Sequence, residues 1–362
     1  MERILMIPNK SEKNYYLILL EQALLNERIK IIFCRKLYFW FPVLKNVIKY
    51  KSKILHIHWI YNIAGFNIKN KVKSLIKLIV FLIDTLIAKY VFRIKIIWTI
   101  HNLYSHESFS HYLEKLTRKL FSKQVDRIIV HCNEARKQIL NEYKPNPNKI
   151  TVIPIGNYNN IYKNNISKEK ARKNLKLDQN CFIFLCFGPI RPYKGVDYLI
   201  SSFKSLNQDE NIKLVIAGKP LNDQIKNKIL KISTENKNII FKPNFIPNDE
   251  IQDYMNAADI VVFPYRKILT SAGILLAMSF SKAIIAPKLG CLIDMLDDKG
   301  AFLYDPNQKR GLFLVLNQAL KNRKILIKMG ESNLTLSKKF DWGRIAKKTK
   351  DVYNLFEEFK IK

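Results

Sequence analysis

The sequence predicts an α/β chain made of two doubly wound halves. Short apolar runs of strand length alternate with helix-length segments from residue 3 to 156, and the alternation restarts at residue 181 after a polar stretch. The 362 residues are also enough for two domains of ordinary size, and a 48% hydrophobic content supplies a core for each.

Taken in order, residues 3–8 (RILMIP) form a short apolar strand and residues 14–27 a helix. Residues 29–34 are the next strand, and residues 54–60 (ILHIHWI) alternate apolar and polar. Residues 74–92 (SLIKLIVFLIDTLIAKYVF) space their apolar side chains by three and four, as a helix does. Lys77, Asp84 and Lys89 leave that helix's uncharged stretches too short to span a bilayer. Residues 95–101 and 127–132 are strands, Asn133 opens a helix over 133–143 as its N-cap, and residues 149–156 close the series. Strands separated by helices imply parallel pairing through right-handed crossovers. Residues 157–175, rich in Asn and Lys, read as a linker entering a helix. In the second half, residues 181–188, 212–218, 238–243, 259–265 and 282–287 are strands with helices between them. Sheets of this kind bind ligands at the carboxyl ends of their strands.

Composition narrows the partners. There are 62 Lys and Arg against 30 Asp and Glu, a formal charge of +32 that attracts polyanions. The lysines are spread along the chain, which fits a solvated basic surface or an anionic membrane. A nucleic-acid partner is not expected, because no clustered basic stripe with stacking aromatics is evident. The five cysteines are scattered and lack metal-site or redox spacing, so they read as buried free thiols in a reducing cytoplasm. The first ten residues, MERILMIPNK, lack a signal peptide's apolar core. The expected location is cytoplasmic, or peripheral on the inner face of the plasma membrane.

Three stretches carry chemistry. In FGPIRPYKG (187–195) Gly188 lets the backbone turn, and Arg191 and Lys194 sit three apart where a helix begins. Two cations beside exposed helix amides make a phosphate site, and the plain alternative is a basic turn on a basic protein. Thr270, Ser271, Ala272 and Gly273 precede a helix, directing hydroxyls and amides outward. The strand WTIHNLYSHE (98–107) ends at His101, Asn102 and Glu107. All six histidines lie at or before His131, so imidazole chemistry must come from the first half.

The ordered set FGPIRPYKGVDYLISSF, LVIAGKP, IPNDEIQDYMNAADIVVFPY, SAGILLAMSFSKAIIAP and KKFDWGRIAKKTKDVYNLF resembles GT-B nucleotide-sugar glycosyltransferases, and most of all family 4. The likeness covers residues 180–358 well and the first half more loosely, through KIIWTIHN, RIIVHCNEARKQI and KITVIPIGN. It implies two Rossmann-like domains facing a central cleft: an acceptor-side domain over 1–165, a nucleotide-sugar domain over 166–340, and a helix over 341–362 that packs back on the first. It implies Lys194 and Arg191 on the donor diphosphate. Arg191 is displaced, because the usual arginine follows the glycine directly, where Pro189 stands. It implies that His101 meets the donor sugar.

The sequence also departs from that family. Two glutamates eight positions apart are usual, and Ile268 and Leu276 occupy their places. Gly188, Thr270, Ser271, Ala272 and Gly273 are then left to hold the donor through hydroxyls and amides. The implied reaction moves a sugar from a nucleotide diphosphate to a lipid-linked or saccharide acceptor in cell-surface polysaccharide or glycolipid synthesis. No D-x-D motif is present, so neither a metal nor any cofactor beyond the donor is expected. If the enzyme inverts, Glu107 and His106 are the candidate bases, with His58 behind them. If it retains, the leaving phosphate takes the proton, and these residues and Asn102 orient the acceptor. The missing glutamates leave a catalytically inactive binding or scaffold protein as the alternative. Lys69, Lys71, Lys73 and Lys77, next to the apolar helix, are expected to draw the first domain to an anionic leaflet, against the alternative that the helix packs on its own sheet and the lysines are merely solvated.

Overall fold

A computed structural model describes residues 2–8, 14–34, 38, 40–66, 68–105, 110–206 and 211–356. The chain divides into two compact units, one of Met1–Gly156 with Phe340–Lys362 and one of Asn157–Lys339. The Asn- and Lys-rich segment after Gly156 thus falls in the second unit.

The first unit's strands are β1 (Glu2–Ile7), β2 (Ile29–Phe33), β3 (Ile54–Ile57), β4 (Lys95–Thr99), β5 (Arg127–Val130) and β6 (Ile150–Val152). They form one parallel sheet in the order β2-β1-β3-β4-β5-β6. The second unit has β7 (Phe182–Phe187), β8 (Ile212–Ala217), β9 (Ile239–Lys242), β10 (Ile260–Val262), β11 (Ala283–Pro287) and β12 (Ala301–Tyr304). These also pair in parallel, in the order β12-β11-β10-β7-β8-β9. Parallel sheets are covered on both faces, which is why their strands read as unbroken Ile, Val and Phe runs. Strand order reverses between β1 and β3 in one sheet and between β7 and β10 in the other. Ligands of open α/β sheets bind beyond the strand ends at such reversals.

The C-terminal helix Trp342–Asn354 completes the first unit. Its Ile345, Ala346, Val352 and Tyr353 join Ile4, Met6, Ile97 and Ile129 in one buried cluster. A side chain at Gly156 would stand 2.1 Å from the Trp342 ring, so only glycine lets the two meet.

Several elements differ from expectation. Strand β3 stops at Ile57, leaving His58 and Trp59 beyond its end. Strand β12 and the helix Pro42–Tyr50 were not read from the sequence. The helix Asn133–Tyr143 is capped by Cys132, whose Sγ accepts from the Ala135 amide at 3.2 Å, and Asn133 is its first helical residue. The chain turns straight out of β5, so the cap falls one residue early. Cys34, Cys181 and Cys186 are buried free thiols, whereas Cys132 and Cys291 carry no free thiol, contrary to expectation.

The long apolar helix, Lys71–Tyr90, reverses the usual arrangement. Three of its charged side chains, Lys77, Asp84 and Lys89, point inward, while Lys71 and Lys73 of its first turn are exposed. Asp84, fully buried, accepts from the amides of Val43 (2.7 Å) and Leu44 (2.8 Å) and so caps the helix Pro42–Tyr50. Lys89 pairs with Asp126 at 3.0 Å. Lys77 is buried against Gly65, which removes it from the lysines expected to attract a membrane. Leu78, Phe81 and Ala88 pack inward, with Phe81 on Phe121 of the helix His111–Gln124 at 5.0 Å. The outward stripe of Val72, Leu75, Ile76, Ile79, Ile83, Leu86 and Tyr90 is 37–68% exposed. No described helix is long and apolar enough to cross a membrane.

Candidate functional site

In the first unit, three strands are followed within two residues by a histidine. The pairing of Thr99 with Ile129 in β4 and β5 brings His101 and His131, two residues further on, side by side. His58 follows β3, the neighbour of β4. Nδ1 of His58 lies 3.1 Å from Nε2 of His101. Nδ1 of His101 lies 3.0 Å from Nε2 of His131, whose Nδ1 is 2.9 Å from the Ile153 carbonyl. Nε2 of His58 is buried with no hydrogen-bond partner. Trp59 stacks face to face on His101 at 4.4 Å, and Tyr16 meets His101 edge-on at 4.8 Å. Below them His56 is satisfied on both sides, by Tyr353 Oη and Thr99 Oγ1, each at 2.7 Å.

Burial holds these rings neutral. It lowers His56 to about 3 and His131 to about 4. Burial and the neighbouring imidazoles hold His58 and His101 well below the ordinary histidine value. A cavity of about 260 Å³ opens beside them, lined by His58, Trp59, His101, Asn102, Ser105 and Arg118 among others. His58, His101 and Asn102, all singled out from sequence, therefore meet at one place. His106 and Glu107 lie outside the described residues. The sequence reading missed His131 and Arg118. The signal for His131 was present, since it ends its strand as His101 does.

In the second unit, β7 ends at Gly188, with φ +105°, and the amine of Lys194 folds back over it, 3.2 Å from where a Gly188 side chain would begin. Gly195, at φ +68°, passes so close to the Pro264 carbonyl that an added Cβ would stand 2.0 Å from it. The loop after β10 is thereby fastened to this turn, and the Arg266 amide donates to the Tyr193 carbonyl at 2.8 Å. Among the described residues no carboxylate pairs with Lys194. Burial lowers its pKa to about 8, with the Cys186 thiol opposing and Arg191 adding to the fall. The amine lies 5.8 Å from the centre of the Tyr265 ring. Tyr265 Oη is 2.9 Å from Ser271 Oγ, and Thr270 Oγ1 is buried without a partner. Ala272 opens the helix Ala272–Ser279, which has no side-chain cap, so its first amides are not engaged by one. Gly273 stands against Phe263, and a Cβ there would be 3.1 Å from its ring. Gly188, Lys194, Thr270, Ser271, Ala272 and Gly273 thus gather at the β7/β10 reversal. Arg191 turns aside, with its guanidinium donating to the carbonyls of Ile190 (3.0 Å) and Lys219 (3.3 Å).

Comparison with known proteins agrees with both halves. Residues 34–156 match the model for Glycosyltransferase Family 4, and residues 167–334 that for Glycosyl transferases group 1. The chain is 24% identical over 281 residues to D-inositol 3-phosphate glycosyltransferase of Corynebacterium glutamicum, covering 72% of this chain and 67% of that one. It is 30% identical over 103 residues to GDP-mannose:glycolipid 4-beta-D-mannosyltransferase of Xanthomonas campestris pv. campestris, covering 28% of this chain and 29% of that one. Among solved structures, Anabaena HepE in complex with UDP-glucose matches with a TM-score of 0.73 at 16% identity, over 99% of this chain and 100% of that one. With two parallel six-stranded sheets and a family match in each half, the chain is a glycosyltransferase of the GT-B type.

Proposed function

We propose that this protein moves a sugar from a nucleotide diphosphate to a lipid-linked saccharide at a membrane surface. The observation that carries the donor half is Lys194, a cation half-buried at the β7/β10 reversal with no carboxylate to balance it among the described residues. A diphosphate supplies the missing negative charge, and the uncapped amides at Ala272 and the hydroxyls of Thr270 and Ser271 supply further donors. As the sugar leaves, charge grows on that diphosphate, and a fixed cation beside it stabilises it. The reading calls for no metal. Lys194 takes the charge, and Arg191 reaches it only by leaving its backbone carbonyls. The solved relative with UDP-glucose supports a nucleotide-sugar donor of this class. A thermal-shift panel of UDP-, GDP-, ADP- and CMP-sugars tests the donor half. One nucleotide class is expected to raise the melting temperature by mass action, and a flat response to all of them contradicts it.

The acceptor half rests on the outward face of the helix Lys71–Tyr90. Its apolar stripe runs alongside exposed Tyr112, Leu116 and Leu120 of the helix His111–Gln124, with Lys69, Lys71, Lys73 and Lys123 around it. Apolar surface ringed by lysine suits a bilayer with anionic headgroups, each lysine adding about 1 kcal/mol. The relative named as acting on a glycolipid supports an acceptor of that kind. The full chain is expected to sediment with phosphatidylglycerol vesicles at low salt, to release in high salt, and to lose most binding as Ile79→Glu/Ile83→Glu. If it ignores neutral and anionic vesicles alike, the acceptor is instead a soluble saccharide.

A further inference from the structure

We propose that the second unit carries an amphiphile site of its own, a slot between the helices Val196–Lys204 and Asp223–Glu235. It takes one hydrocarbon chain whose anionic headgroup, a phosphate or a carboxylate, sits on Arg191. The slot lies wholly within that unit, and it uses the cation that the donor turn leaves aside.

Strands β7, β8 and β9 lie side by side, so the two helices that join them cross on the same face of the sheet. Neighbours of that kind ordinarily interlock, the ridge of one helix in the groove of the other. Here the ridges do not match. Ile225, Ile229 and Ile232, spaced by four and three, form an apolar ridge on the second helix. Asp197, Ser201 and Lys204, at the same spacing and all exposed, line the slot from the first. Aliphatic side chains do not interlock with a charged and hydroxylated row, and a cavity of about 580 Å³ stands between the two. Its floor is Ile190, Val196 and Ile200, all buried. Small-molecule sites run from about 300 to 1,000 Å³, so the slot has the capacity of one.

Floor and rim name the two parts of the ligand. Branched aliphatic walls offer neither hydrogen bonds to a sugar nor a stacking platform to a base. The one aromatic ring among the lining residues, Tyr198, has its hydroxyl turned to the Leu312 amide, which donates to it at 3.4 Å. Such walls suit a hydrocarbon chain. The charged lining is Arg191, Lys204, Lys228, Arg266 and Asp197. Asp197 is already held by Arg266 at 2.7 Å, so among the described residues three cations remain without a carboxylate. Lys204 and Lys228 are exposed, one on each helix, and add to the field that draws an anion in. Arg191 is the fixed one. Its Nη1 donates to the carbonyls of Ile190 and Lys219, and among the described residues nothing bonds its Nε or Nη2. That edge of the fork grips an oxyanion through two parallel N–H groups. The headgroup therefore sits at Arg191, and the chain runs from it along the isoleucine ridge.

Calorimetry of the full chain with dodecyl phosphate and with dodecanoate, each below its micelle concentration, tests the site. At least one of them is expected to bind about tenfold or more tighter than dodecyl maltoside, which lacks the charge, and inorganic phosphate, which lacks the chain. Ser201→Trp fills the slot from an exposed position, and Arg191→Gln keeps a donor for the two carbonyls while removing the charge. Each is expected to weaken binding about tenfold or more with the melting temperature kept. Ile79→Glu/Ile83→Glu, on the apolar stripe of the first unit, is expected to bind as wild type does, which separates this site from the membrane face. Absence of saturable binding by both probes overturns the proposal. Equal binding of dodecyl maltoside overturns it too, as does binding that survives either second-unit substitution in a folded protein. Binding lost in Ile79→Glu/Ile83→Glu instead places the probe on the first unit and overturns the slot, while leaving the membrane reading standing.

Discussion

Lys194→Met is expected to weaken binding of the nucleotide diphosphate about 10- to 150-fold, the 1.5–3 kcal/mol of hydrogen bonds to a charged group. The same change is expected to leave the melting temperature of the free protein unchanged or higher. Both follow from a half-buried cation with no carboxylate beside it among the described residues. Its pKa in the fold, about 8, is depressed below the ordinary lysine value. Stability tied to this group is therefore present at high pH and is lost as pH falls through about 8, where the amine takes up its charge in the fold. Methionine fills the space without the charge, so the variant should gain on the wild type as the buffer is made more acidic. Calorimetry gives the affinity and a melting curve across pH 7–10 (roughly the span between the shifted and ordinary lysine values) gives the stability. A structural lysine would behave oppositely, with donor affinity kept and the melting temperature falling.

The largest stability loss is expected at Glu114. Its carboxylate is fully buried, and Oε1 accepts from the Ser105 amide and hydroxyl at 2.7 Å and from Arg118 Nε at 2.8 Å. Arg118, itself buried, donates onward to the Asn102 carbonyl at 3.3 Å and packs over Phe66 and Trp98. The pair ties the loop after β4 to the helix His111–Gln124 and shapes the cavity wall. Glu114→Ala leaves the guanidinium buried and unpaired, at a cost of about 3–5 kcal/mol. Glu114→Leu/Arg118→Met removes both charges and should recover most of it. Tryptophan fluorescence during urea unfolding isolates this effect, because all four tryptophans (Trp40, Trp59, Trp98 and Trp342) belong to the first unit. A single variant as stable as wild type would show that the charge is not sealed from water.

The sheets were legible because parallel strands are covered on both faces and must be apolar throughout. Ile, Val and Phe runs mark β1, β7, β8 and β11 almost to the residue. What escaped was whatever depends on neighbours far along the chain. The run 301–304 is too short to announce β12, and it becomes a strand by pairing with β11. Lys77, Asp84 and Lys89 look like breaks in an apolar helix, yet they face inward because a helix end and Asp126 lie there to receive two of them. In the site, His58, His101, Asn102 and the Gly188–Lys194 turn were visible as chemistry left at strand ends. Arg191 has the right charge at the right spacing, but the carbonyls of Ile190 and Lys219 hold it aside. His131 was visible as a residue and not as a partner, since its meaning lies in the pairing of β4 with β5. The apolar Ile268 and Leu276 remain where acidic groups are usual, and neither side chain substitutes for a carboxylate.

Those two residues make catalysis itself the point to test. The direct measurement is transfer of radiolabelled sugar, from the nucleotide class chosen by thermal shift, to a membrane lipid extract. The account predicts that label moves from the nucleotide into the organic phase with wild-type protein and falls at least tenfold (~1.4 kcal/mol) with Lys194→Met. Label that stays on the nucleotide while the sugar nucleotide binds would contradict it, and the protein would then be a binding or scaffold member of the GT-B type.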